Sequence, residues 1–384
     1  MTGLQTVSPR YGEASLADVL PGALTALGVP GSTDPIGLAA GPLAGARRIA
    51  VLLVDGLGHH MLPLAAPHAP VLAELAARPD SLALTTGFPS TTPSSLASLG
   101  TGAAPGAHGL VGFFLNVPGT DRVLNHTRWT DDPDPLRWQP LRTQFDIASA
   151  YGVSTHVVAK PEFAGSGLTV AAWRGGEYIG AAEPDAVAAH MLRALTTAPA
   201  PTLVYGYVPD VDRWGHEAGL GSPQWIGAVR QVDRMLTRLL DGLPPDTALL
   251  VTADHGQLDI PADTRVDVDT VPGLRDGVRV LAGEPRVRYV HTLPGARDDV
   301  LATWRGVLGD AAWVLPREEA VAAGWFGPVS EAHLQRVGDV VAICRDRTAL
   351  LATRTDPPTV ARLIAMHGSS TALEMMIPLL IARS

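Results

Sequence analysis

Three short apolar runs that end in acidic residues constrain the fold more than any other property of the chain: IAVLLVDG (49–56), TLVYGYVPDVDRWGH (202–216) and ALLVTADHG (248–256). Each is Leu- or Val-rich and apolar at successive positions, as strands covered on both faces of a parallel sheet are. THVVAK (155–160) is a fourth such run. Between the last two of the four, Ser222 and Pro223 open a helix whose apolar positions Ile226, Val229, Val232, Met235, Leu236 and Leu239 fall at helical spacing. The alternation predicts an α/β fold with a central, mostly parallel sheet flanked by helices. Ligands of such sheets bind in the crevice beyond the C-terminal ends of the strands.

Metal-ligating side chains collect at those ends. Asp55 closes the first run, and Asp254 with His255 closes the last. Asp212 and His216 are four residues apart, so a helical turn after Pro209 projects both from one face. Asp254 and His255 are neighbours, and on an extended strand they would point to opposite sides. They share a metal only if the strand stops there, and Gly256 supplies the break. His367 is the sixth candidate ligand. Mixed carboxylate and imidazole donors suit Zn²⁺ or a similar divalent ion. A hydroxyl-rich block, TTGFPSTTPSSLASLGTG (85–102), has helix-start chemistry around Pro93. A hydroxyl at a helix N-terminus lies among free N–H groups that favour an attacked phosphoryl oxygen. Thr92 is the candidate nucleophile, with Thr91 and Ser90 as alternatives. Six ligands and one hydroxyl in this order suit two-metal phosphoryl transfer.

The chain has 384 residues, formal net charge −9 and a single lysine, Lys160. No basic stripe is present, which argues against a long nucleic-acid partner. Hydrophobic residues at 46% against charged residues at 17% allow a large buried core. The first 28 residues lack the apolar stretch of a secretory signal, and MMIPLLIA (375–382) is too short for a membrane span. The lone cysteine, Cys344, reads as a buried small hydrophobe. These features predict a cytoplasmic enzyme.

From 277 to 350 the pattern changes. GVRVLAGEPRVRYVHTL reads as a hairpin about Gly-Glu-Pro, DDVLATWRGVLG as a helix, and DVVAICRD with ALLATR as a strand pair. The expected organisation is a catalytic α/β domain over 1–276, an inserted α+β cap over 277–350, and completion of the catalytic domain, with its last ligand, over 351–384.

VLLVDGLG, FPSTTPSSLASLGTGAAPGAHGLVG, PDVDRWGHEAG, TADHG and MHGSSTALEMMIPLL, spread from about residue 48 to 378, resemble the alkaline phosphatase superfamily in its type I phosphodiesterase/nucleotide pyrophosphatase branch. The resemblance implies a two-zinc site and a phosphothreonine intermediate. Counting back from Thr101, Gly102, Pro105 and His108, which are similar to the family's TG-x-x-P-x-x-HG pattern, lands on Thr92. By the same resemblance Asp55, Asp254 and His255 hold the ion that activates Thr92, while Asp212, His216 and His367 hold the ion facing the leaving group. The implied substrate is a small phosphodiester or nucleotide.

Two positions depart from the nucleotide-cleaving pattern. Pro93 stands where an aromatic residue would follow the nucleophile, and Asn116 lies beyond the place of the expected Asn. Phe113, Phe114, Trp129, Trp138 or Trp214 could stack on a base instead, and FAGSGLT (163–169) could line the pocket. Other chemistries fit the same scaffold: phosphomonoester or phosphonoacetate hydrolysis, with Arg128, Arg137 or Arg174 as the extra cation. Sulfatase chemistry is disfavoured by the lack of a C-x-P-x-R segment, and a non-catalytic metal-binding module by the complete ligand set.

Overall fold

The computed structural model describes residues 3–384. A seven-stranded sheet carries the strands Leu82–Thr85, Met376–Arg383, Thr247–Thr252, Arg48–Val54, Thr202–Val208, Ser154–Ala159 and Glu177–Gly180, in that spatial order. Every pairing is parallel except the two made by Met376–Arg383. The central strands are buried along nearly their whole length, which is why they read as unbroken apolar runs. The helix Pro223–Gly242 begins as expected, with the Ser222 hydroxyl accepting from Trp225 N–H.

Register decides where the functional side chains emerge. Arg48 lies opposite both Thr202 and Thr247, so these three strands end together at one edge. The antiparallel strand Met376–Arg383 starts at that edge, with Met376 opposite Thr85. Residues leaving a parallel strand and residues about to enter the antiparallel one therefore meet at the same crevice.

A separate four-stranded antiparallel sheet is formed by Val278–Glu284, Val287–Thr292, Val340–Cys344 and Ala312–Pro316, with the helix Arg297–Leu308 against it. We propose on this basis that 277–350 is an inserted unit. The hairpin forms as expected, but the second strand pair does not. Val340–Cys344 lies between Val287–Thr292 and Ala312–Pro316, while Ala349–Leu351 pairs with Arg265–Asp267. The chain turns through Asp346 in a left-handed conformation (φ 44°), which carries the second run out of the cap sheet.

Two buried contacts join residues of the 277–350 segment to helices and loops outside it. Arg286 forks onto Glu374 at 2.8 and 2.9 Å. Arg336 donates to the carbonyls of Gly109 and Trp138 and lies over the Trp138 ring. Cys344 is fully buried, and burial pushes its thiol up to about 11. No helix among the described residues is long and apolar enough to cross a membrane.

Candidate active site

All seven residues expected from the sequence sit at the shared edge. Asp55 directly follows its strand, and its N–H donates to Val208 O at 3.0 Å. Pro209 then opens the helix Asp210–Ala218, which places Asp212 and His216 on one face, with His216 Nε2 3.3 Å from Asp212 Oδ2. The strand before Asp254 ends at Thr252, so Asp254 and His255 are free of the strand alternation, and His255 Nε2 lies 3.2 Å from Asp254 Oδ2 and 3.4 Å from Asp55 Oδ1. The break thus falls before Gly256. That glycine serves close packing instead, since a Cβ there would strike the Leu373 carbonyl. Gly56, at φ 73°, likewise allows the first loop to approach the backbone of Asp212.

His367 arrives from the loop before the last strand, stacked on His255 at 3.5 Å, with Nε2 3.7 Å from Asp212 Oδ1. The ligand atoms fall into two overlapping groups, Asp212 with His216 and His367, and Asp55 with Asp212 and His255, so Asp212 reaches both. Each histidine uses Nδ1 on a backbone carbonyl: His216 on Ala365, His255 on Gly256 and His367 on Ser90. That bond leaves the Nε2 lone pair directed at the carboxylates, the tautomer a metal requires.

The electrostatics also fit a cation. Asp55, Asp212 and Asp254 converge, and among the described residues no arginine or lysine pairs with any of them. Burial, reinforced by repulsion from Asp254 and Asp212, raises the Asp55 carboxyl well above its ordinary range. Asp254 is raised chiefly by burial, and burial with the neighbouring imidazoles holds His367 well below its ordinary value. Asp55 Oδ1 and Asp254 Oδ2 are buried without hydrogen-bond partners. Orphaned anionic oxygens are costly unless a counter-charge sits between them.

Thr92 is the first residue of the helix Thr92–Thr101, 9% exposed, with Oγ1 3.1 Å from His255 Nε2. Thr91 is the helix cap, and Ser90 is bound to the Ser369 carbonyl at 2.6 Å. Of the three hydroxyls, Thr92's is the one bonded to the ligand cluster.

A cleft of about 360 Å³ opens over the cluster, with Phe113, Phe114, Arg128, Arg213 and Glu284 on its walls. A narrower cavity of about 80 Å³ beside Thr92 takes Phe163, Ser166, Leu168 and Thr169 from the FAGSGLT segment, the last two already in the helix Gly167–Trp173 that Ser166 caps, with Trp173 and Tyr205. Trp129 and Trp138 are core residues around His126, and Trp214 lies under Arg213. Arg137 is exposed, Arg174 is spent on the carbonyls of Val170, Ala171, Gln139 and Leu141, and Asn116 is spent on those of Thr120 and Arg122. Sequence reasoning missed Tyr207, whose hydroxyl donates to Asp55 Oδ2, and Gln257, whose amide donates to Asp212 Oδ1. The two-residue spacing of Tyr205 and Tyr207 already placed both on one strand face.

The sequence profile of the type I phosphodiesterase / nucleotide pyrophosphatase family matches residues 49–370, and the chain belongs to that family. It is a hydrolase acting on phosphoric ester or phosphoanhydride bonds with an alkaline-phosphatase-like fold; the family is metal-dependent, and this chain has carboxylate and imidazole groups that could hold a metal. Among solved structures it is similar to murine ectonucleotide pyrophosphatase/phosphodiesterase 5 (TM-score 0.70, 20% identity, covering 86% of this chain and 87% of that one). An inactive variant of that murine protein was solved in complex with AMP. Phosphonoacetate hydrolase from Sinorhizobium meliloti 1021, in complex with phosphonoformate, is also similar (TM-score 0.66, 20% identity, covering 88% and 91%). No curated protein matches the sequence.

Proposed function

We propose that this chain hydrolyses small phosphodiesters or nucleotide derivatives, with Thr92 as nucleophile and two zinc ions as cofactor. The observation that carries the reading is the contact of Thr92 Oγ1 with an uncompensated three-carboxylate, three-histidine cluster. Asp55, Asp254 and His255 would hold one ion and Asp212, His216 and His367 the other, with Asp212 within reach of both. When bound, such ions lower the pKa of a coordinated hydroxyl and stabilise the attacking and leaving oxygens of an in-line displacement.

The chain's own residues supply the rest. His255 and the helix N-terminus hold the Thr92 hydroxyl at the cluster, and Tyr207 and Gln257 fix the rotamers of Asp55 and Asp212. Attack by Oγ1 forms a phosphorus–oxygen bond to Thr92 as the bond to the departing alcohol breaks, and the alcohol leaves with the proton. Water then cleaves the phosphothreonine, releasing the monoester and restoring the hydroxyl. A cytoplasmic location belongs to the same proposal.

Phosphonate or phosphomonoester hydrolysis is the second reading, favoured by Arg128 and Arg213 on the cleft wall. A panel of bis-p-nitrophenyl phosphate, p-nitrophenyl phosphate, phosphonoacetate and dinucleotides separates the two. The diester should show the highest kcat/KM, and a dianionic substrate in that place transfers the assignment to the second reading. Acid-quenched enzyme should carry phosphate on the Thr92 peptide. Phosphate trapped on Thr91 or Ser90 would move the nucleophile.

A further inference from the structure

Thr92 and His367 are brought together by two loops that meet at Ser90. The Ser90 carbonyl accepts from His367 Nδ1 at 2.8 Å, and its N–H donates to the Gly368 carbonyl at 3.1 Å. Its hydroxyl donates to the Ser369 carbonyl at 2.6 Å and accepts from Gly368 N–H at 3.2 Å. Thr92 follows two residues later, so its placement against the His367 ring depends on how the two loops are held. A segment distant in sequence, 5–11, touches both. The Gln5 carbonyl accepts from Ala372 N–H and Val7 N–H donates to the Ser370 carbonyl, each at 2.8 Å, with Thr6 bridged to Thr371 between them. At the other end the Tyr11 hydroxyl accepts from Phe88 N–H at 3.0 Å and donates to the Trp325 carbonyl at 2.8 Å. In between, Arg10 N–H donates to the Thr85 hydroxyl at 2.9 Å, which fixes the segment to the edge strand Leu82–Thr85.

We propose that the segment 5–11 is a strap that fixes the nucleophile loop against the His367 loop, and that Tyr11 is a positioning residue for attack by Thr92. The proposal rests on the assignment of Thr92 and His367 to the site. Tyr11 is not on the wall of the cleft, and it acts through Phe88, four residues before Thr92, and then through Ser90. Phe88 is fully buried, so its N–H is left unpaired when the Tyr11 hydroxyl is removed. Relieving an unpaired buried N–H requires the loop to move, and with it Ser90, whose carbonyl orients His367. Burial holds the Tyr11 hydroxyl well above its ordinary range, so it stays protonated and keeps both bonds.

The test is Tyr11→Phe, which keeps the ring and removes only the hydroxyl, assayed as zinc-loaded protein on bis-p-nitrophenyl phosphate under conditions where the variant is fully folded. kcat should fall roughly tenfold, the lower end of the effect of groups that orient a metal ligand, while KM stays unchanged because the cleft wall is intact. Zinc affinity, measured by calorimetry on metal-free protein, should fall in parallel. A merely structural tyrosine lowers the urea midpoint and leaves kcat and zinc affinity of the folded protein at wild-type values, and that result overturns the inference. Ser90→Ala lies on the same path, so the double variant should lose less in kcat than the product of the two separate losses. Fully multiplicative losses contradict the shared path.

Thr85→Val covers the case in which Tyr11→Phe fails to fold. It removes the acceptor for Arg10 N–H and should lower kcat in the same sense by a smaller factor, again at unchanged KM. A kcat equal to that of the wild type would then contradict the strap. If wild-type protein binds zinc but cleaves no diester, the hydrolytic reading fails, while weaker zinc binding by Tyr11→Phe still upholds the strap and unchanged binding overturns it.

Discussion

The Arg286–Glu374 joint and the Asp55–Asp212–Asp254 cluster both place carboxylates in the interior, yet they are finished to different degrees. Both oxygens of Glu374 are matched twice, by Arg286 and by Ser369 N–H on one and the Thr371 hydroxyl on the other. The aspartates of the cluster accept from neutral donors only, Tyr207, Gln257 and the N–H groups of Gly56 and His255, have imidazoles but no arginine or lysine beside them, and keep two oxygens with no hydrogen-bond partner. Satisfied buried charge is structure, whereas charge left short of a counter-ion marks the place where a cation binds. The loop carrying His367 joins the two, since Ser369 and Thr371 lie a few residues past that ligand.

The sharpest separation comes from Thr92, which touches the unfinished cluster alone. Thr92→Ala should lower kcat roughly a thousandfold or more while melting temperature and metal content hold. Thr92→Ser should retain part of the rate and Thr91→Ala most of it. Near wild-type turnover by Thr92→Ala would break the assignment.

Glu374→Ala should act in the opposite sense, on the fold first. It strands Arg286 in the interior at a cost of about 3–5 kcal/mol, read as a lower denaturation midpoint in urea. A midpoint unchanged from wild type would show that the joint is not structural.

A pH titration of stability probes the neutral interior between these regions. His126 accepts from Trp138 Nε1 on Nε2 and donates from Nδ1 to the Phe113 carbonyl, and His108 lies between Ser98 and Leu110 N–H. Burial, with Arg336 nearby, lowers them to about 4 and about 3. A histidine whose folded pKa is depressed binds fewer protons folded than unfolded below about 6.5, so stability falls as pH drops through that window. The loss should reach a few kcal/mol by about pH 4. His126→Asn should flatten the acid limb of the profile, and an unchanged acid limb would place the sensitivity elsewhere.

The smallest expected effect has an inverted sign. Asp254→Asn removes one repelling charge but keeps an acceptor for Gly56 and His255 N–H. Metal-free protein should therefore be unchanged or stabilised by about 1 kcal/mol or less, while zinc affinity drops. Clear destabilisation of the metal-free variant would remove the contrast with Glu374.

Much of this was legible in the sequence, and for a physical reason. Asp55, Asp212 and Asp254 follow apolar runs because fully buried parallel strands announce themselves residue by residue, and strands in register bring their ends together. His367 was legible as a residue, but its route was not, because nothing local shows that Met376–Arg383 runs antiparallel. The pairing of Ala349–Leu351 with Arg265–Asp267 was missed for the same reason, as pairing depends on partners distant in the chain. Tyr207 and Gln257 lie in ordinary-looking contexts, and their meaning comes only from what they face, Asp55 and Asp212.

The metal content of the purified protein tests the central claim most directly. Elemental analysis after extensive dialysis should give about two zinc equivalents per chain, with chelation abolishing diesterase activity and Zn²⁺ restoring it. Protein that binds no divalent metal, or that turns over unimpaired in excess chelator, would contradict the account.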